Sequence, residues 1–145
     1  MSVVTASAPP RWKSVSLWVV RGLLALAFAS AGGAKLYGVP MLVEEFQHIG
    51  LGQWFRYFTG SLELLGAFLI LVPSLAAFGG VLLICIMIGA TITHVFVIGG
   101  SPVPALVLLT LSAIVAFAKR GQIFAVLDTV DDILHGEKAG PASQR

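Results

Sequence analysis

Between Tyr57 and Ala118 the chain holds a single Asp, Glu, Lys or Arg: Glu63, in the apolar run TGSLELLGAFLILVP. An ionised side chain facing lipid costs at least ~2.5–3.5 kcal/mol, so such groups turn toward a helix bundle or a wet cavity and find partners there. Glu63 shares a helical stripe with Thr59, Gly60, Gly66 and Ala67, small residues that let another helix approach on that face. Two other ionisable groups lie within reach in depth. At ~1.5 Å per residue from the outer interface, Glu63 sits roughly 10–14 Å deep and His94, in ATITH, about 6 Å deep. Lys35, in ASAGGAKL, starts from the same side, and its long arm can extend inward. Thr91 adds a hydroxyl one turn below His94, and Gly32 and Gly33 leave room beside Lys35 for backbone or ligand.

Lys35, Glu63, His94 and Thr91 therefore form a candidate ligand-binding polar site inside the membrane. Its groups can donate hydrogen bonds to a carbonyl, and an imidazole beside a carboxyl group suits proton exchange. The sequence singles out no catalytic residue. Each residue also has a purely structural reading. His94 can be a helix–helix contact, Lys35 can reach back to the outer surface, and Glu63 can hydrogen-bond a backbone carbonyl in its acid form. The shared depth of the three favours a common site.

The elements that position them are membrane helices. Of 145 residues, 57% are apolar and 11% charged, against about 25% charged in soluble domains. Such a chain cannot cover a water-facing surface, and it reads as a multi-pass integral membrane protein. Apolar stretches run over residues 15–35, 55–72, 75–98 and 103–118, the last at the short end of what crosses ~30 Å of hydrocarbon. Pro73-Ser74 and Gly99-Gly100-Ser101-Pro102 break the run, and such short connections leave neighbours antiparallel. The fold class expected is all-α: an up-down-up-down four-transmembrane-helix bundle. No internal repeat supports an inverted-repeat transporter. The first stretch, with Ala29-Ser30-Ala31, has some features of a cleavable signal peptide. Arg21 interrupts its apolar core and cleavage would leave three spans, so it is read as a retained helix.

Basic residues orient the bundle. Arg11, Lys13, Arg21, Lys119 and Arg120 flank its two ends, which places both termini in the cytoplasm, with a bacterial cytoplasmic membrane as the expected location. The domain reading is an N-terminal tail (1–14), a membrane domain (15–118) and a cytoplasmic C-terminal segment (119–145). Leu42, Val43, Phe46 and Ile49 recur at helical spacing among Glu44, Glu45, Gln47 and His48, which predicts a short amphipathic helix between the first two spans. Ile123, Val126, Leu127, Val130, Ile133 and Leu134 repeat that pattern opposite Asp128, Asp131 and Asp132, which predicts an amphipathic C-terminal helix; beyond Gly136 the composition predicts disorder. Both amphipathic stretches can pack on the bundle ends, and the second can also meet a protein partner.

Several classes are set aside. The net charge of +2 resides mainly at the ends and describes orientation rather than nucleic-acid binding. Cys85 is the only cysteine, so no disulfide or thiol-exchange pair forms within one chain. No phosphate loop, nucleophile elbow or metal-spaced cluster appears, and His94 has no second intramembrane axial candidate for haem.

FASAGGAKL at the end of the first stretch resembles the A-G-x-x-K-L signature of the DoxX-like membrane protein family. EEFQHIGL, the Gly and Glu of TGSLELLGAFLIL and the His of ATITH follow in that family's order and spacing, over about residues 15–120. The resemblance implies a four-helix membrane protein with Lys35, Glu63 and His94 as its polar positions. Relatives of this kind include a membrane subunit of a thiosulfate:quinone oxidoreductase and proteins linked to thiol and oxidative-stress complexes. Three functions follow: a subunit or partner of a quinone-linked redox or oxidative-stress system with quinone as the bound cofactor, a binder or carrier of a small apolar molecule or lipid, and a structural subunit without chemistry. The partners expected are the lipid bilayer, a protein partner or further copies of the chain, and a quinone or small apolar ligand.

Overall fold

The computed structural model describes residues 11–136, and no strand occurs among them. The order is α1 (Arg11–Tyr37), α2 (Pro40–Ile49), α3 (Gln53–Leu71), α4 (Ala76–Thr93) running on into a π turn (His94–Ile98), α5 (Val103–Ala118) and α6 (Gly121–Gly136). Both expected amphipathic helices are present, as α2 and α6. The N-terminal residues 1–10 and the expected disordered tail after Gly136 lie outside the described residues. Local chemistry sets the breaks. Gly38 turns the chain out of α1 at φ +83°, its amide still bonded to the Ala34 carbonyl, and Pro40 opens α2 where its missing N–H costs nothing. Val72 is extended ahead of Pro73 and ends α3.

α1 packs on α3, α3 on α4, α4 on α5, and α5 returns to α1, closing a ring around Leu24, Phe28, Ile70, Leu83 and Val115. Glycines carry the closest approaches. A Cβ on Gly32 would stand 2.7 Å from the Gly60 carbonyl oxygen, and one on Gly79 2.7 Å from the Ile70 amide nitrogen. Bilayer helices gain little from apolar burial against one another, so backbone proximity through small residues is what holds them.

Two buried arginines fix the relation of α1 to α3. Arg21, in the first half of α1 and 1% exposed, donates from Nε to the Ile70 carbonyl (2.6 Å) and from Nη2 to that of Leu71 (2.8 Å), both at the end of α3. Arg56, near the start of α3, donates to the Lys35 carbonyl in the last turn of α1. The two helices are therefore antiparallel, each ending on the other's arginine. The last carbonyls of a helix lack internal partners and carry the negative end of its dipole, so a guanidinium there satisfies both. Contacts of Gly66 with Leu83 and of Gly79 with Ile70 make α3 and α4 antiparallel as well.

Ser14–Tyr37 and Ala76–Ile98 are long and apolar enough to cross a membrane, and α5 with α6 forms a third candidate bent by 53°. α3 carries Gln53, Arg56 and Glu63 over 19 residues, and α5 has only 16. The structure thus establishes an all-helical chain with two or three membrane-crossing candidates. Exposed Leu23, Leu26, Phe68, Ile92 and Phe117 give the ring an apolar exterior. At the opposite end from Lys35, Gln122 ties α6 to the α3–α4 corner: its Nε2 donates to the Pro73 carbonyl, and the Ala77 amide donates to its Oε1 at 3.0 Å.

Candidate functional site

Glu63 meets Lys35. The ammonium donates to both carboxylate oxygens, at 2.8 and 2.7 Å, with the two side chains 3% and 16% exposed respectively. The sequence places them there through a shared offset: Gly32 precedes Lys35 by three residues, and Gly60 precedes Glu63 by three. A Cβ on Gly60 would stand 3.0 Å from the Lys35 Cβ, and one on Gly32 3.2 Å from the Glu63 Cβ. Each glycine thus clears the space in which the opposite helix lays its charged side chain. The lysine stem can lie against α3 only because both positions lack a side chain.

A second layer holds this pair in place. Arg56 bonds the Lys35 carbonyl and donates from Nε to Gln53 Oε1 at 2.7 Å, while Gln53 Nε2 donates to the Val43 carbonyl of α2 at 3.0 Å. α1, α3 and α2 are joined by this chain of bonds. Phe46, 5% exposed, seats α2 on Phe55 at a ring separation of 5.9 Å. α2 consequently roofs a space rather than lying as a separate surface helix.

That space is a cavity of about 340 Å³ between α3 and α4, with Lys35, Glu63 and His94 all in its wall. Glu45, Thr59 and Thr93 add polar atoms, and Phe55, Leu62 and Ile86 are among the apolar remainder. This matches the general build of a small-molecule site, mostly apolar with a few convergent polar groups. His94 opens the π turn, a widened turn that recurs at functional sites. It also walls a second, outer cavity of about 380 Å³ with Glu44, Glu45, His48 and Ser101, so His94 and Glu45 face both spaces. The Nδ1 of His94 is buried without a hydrogen-bond partner among the described residues.

Lys35, Glu63 and His94 are thus brought to one cavity. Thr91 is not among its wall residues; its hydroxyl donates to the Met87 carbonyl of its own helix at 2.7 Å. The carboxylate bonds Lys35, and none of the hydrogen bonds among the described residues joins it to His94. Glu45 is the wall residue that periodicity hid, because it reads as the polar face of a surface helix. Among the described residues no three His, Cys, Asp or Glu side chains gather as a metal site. Lys35 Nζ, with two of its three protons directed at Glu63, retains one for an incoming acceptor such as a carbonyl oxygen.

An all-helical chain with an apolar exterior and a polar pair in its interior is an integral membrane protein. The DoxX-like family profile matches residues 19–119, and the chain belongs to that family. No curated protein and no solved structure matches it significantly.

Proposed function

We propose that this DoxX-like protein binds a small membrane-dissolved ligand at Lys35, Glu63 and His94, with Thr91 on the adjoining turn, as the membrane subunit or partner of a quinone-linked redox system. The observation that carries the reading is the Lys35–Glu63 pair opening onto a cavity that His94 also walls. An ion pair serving only to hold α1 to α3 requires no cavity beside it. A quinone carbonyl could accept the remaining Nζ proton, and His94 and Glu63 could pass protons to or from the bound ring. The test is native mass spectrometry of protein purified from its membrane in mild detergent. A quinone should be retained by the wild type and reduced about tenfold in the Lys35→Met/Glu63→Gln double variant, whose two neutral side chains should keep the melting temperature near that of the wild type. Retention of a different neutral molecule would identify a binder or carrier instead. Equal occupancy in both proteins would refute the site.

The same reading takes all four helices of the ring across the bilayer, with both termini in the cytoplasm of a bacterial cell. In a Cys85→Ala background, cysteines placed at Ser7 and at Ser143 should resist an impermeant thiol reagent in intact cells, and one placed at Gln47 should react. Reaction at only one terminus would require an odd number of crossings.

A further inference from the structure

We propose that the cavity is loaded sideways from the bilayer, through the crevice between α3 and α4, by an amphiphile whose uncharged carbonyl or hydroxyl head reaches Lys35. Its apolar chain leaves past Phe58, Cys85 and Gly89. This deepens the proposed function and rests on its assignment of a ligand to the Lys35–Glu63 pair.

The route follows from where the wall is open. Phe58, Cys85 and Gly89 all border the cavity, and all three are exposed on the outside of the ring. Cys85 and Gly89 belong to Ala76–Ile98, a stretch apolar and long enough to cross a membrane, so the exterior beside them is hydrocarbon rather than water. A side chain at Gly89 would meet nothing within 4 Å, so the cavity wall is open beside α4 at that level.

The head group follows from charge. Lys35 and Glu63 neutralise each other at 2.7 Å, and Glu45 adds a carboxylate to the roof. An anionic head at Lys35 would face Glu63 and Glu45 with no unmatched cation, and a cationic head, though drawn to Glu45 at the roof, is repelled by Lys35 itself. A neutral acceptor takes the spare Nζ proton without either penalty. The size follows from volume. About 340 Å³ is roughly twice the ~150 Å³ cavity that holds a benzene ring, enough for a head and the first part of one chain.

The experiment uses the full chain in phosphatidylcholine vesicles, photolabelled with 4-decylbenzophenone, a neutral aryl ketone on an alkyl tail. Labels located by peptide mass spectrometry should fall within residues 55–63 and 82–94. Unlabelled 1-dodecanol should compete at least about fivefold better than dodecanoate at equal membrane content. Gly89→Phe places a ring in the open gap without a clash in the core. Labelling of cavity residues should then fall about tenfold at unchanged melting temperature. Cys85→Trp narrows the crevice one turn away and should act alike, so misfolding of one plug leaves the other to decide. If both plugged proteins label like the wild type while Lys35→Met/Glu63→Gln does not, the site stands and the sideways route is overturned. If dodecanoate competes as well as the alcohol, the neutral head is overturned. If the plugs and the Lys35→Met/Glu63→Gln protein all label normally, the ligand assignment to this pair falls with the route.

Discussion

Lys35→Met should destabilise the protein by about 3 kcal/mol, and adding Glu63→Gln to the same chain should restore most of that loss. Glu63 is 3% exposed and its charge is answered by Lys35 alone at 2.7 Å. Removing the ammonium takes away the group that donates to both oxygens of a 3% exposed carboxylate, whereas the double variant leaves two neutral side chains of similar volume. A buried ion pair costs much to break and little to replace as a unit, because desolvation of both charges offsets most of their attraction. Thermal unfolding of the wild type, the single and the double variant in one detergent provides the comparison. A single variant as stable as the double would show that Glu63 finds another partner. The double variant should nevertheless hold a carbonyl ligand about tenfold more weakly, which separates what the pair does for folding from what it does for binding.

Gly32→Leu should be worse still. A Cβ at Gly32 would stand 2.7 Å from the Gly60 carbonyl oxygen and 3.2 Å from the Glu63 Cβ, and neither neighbour is a flexible side-chain end. Overpacking typically costs about 1–3 kcal/mol when surrounding side chains can adjust. Here the obstacle is backbone, so α1 must move off α3 as a whole. That movement also separates Lys35 from Glu63 and Arg56 from the Lys35 carbonyl. Gly22 lies on the same helix, and a side chain there meets nothing within 4 Å. Gly22→Leu should elute and melt like the wild type, while Gly32→Leu should aggregate or melt far lower. Matching behaviour of the two on size-exclusion chromatography would mean that the α1–α3 spacing is not set by Gly32.

Much of the architecture was readable in the chain because Gly and Pro mark the helix ends. Gly38, Pro73, Gly99 and Pro102 all fall where α1, α3, the π turn and α5 stop or start. The amphipathic spacing of α2 and α6 was equally plain. Depth counting brought Lys35, Glu63 and His94 to one leaflet, but it could not rank Lys35 against His94 as the partner of Glu63. What decides the matter is the closeness of α1 to α3, and that depends on Gly32 and Gly60 facing each other across the chain. The partners of Arg21 and Arg56 had no mark in the sequence. Their acceptors are main-chain carbonyls, which every residue has, so no residue type in the sequence signals them. The π turn in HVFVI likewise has no compositional mark, although it places His94 in the walls of two cavities.

The reciprocal arginines also bear on how the chain is made. Arg21 leaves the ribosome 49 residues ahead of Ile70, the first of its two carbonyl partners. Until then the guanidinium has the Trp18 ring of its own helix at 4.0 Å but not its two carbonyl acceptors. α3 is in the complementary position, since Arg56 finds its carbonyl only on an α1 already in place. The main-chain bonds of both arginines can therefore form only once both halves of the α1–α3 hairpin have been synthesised.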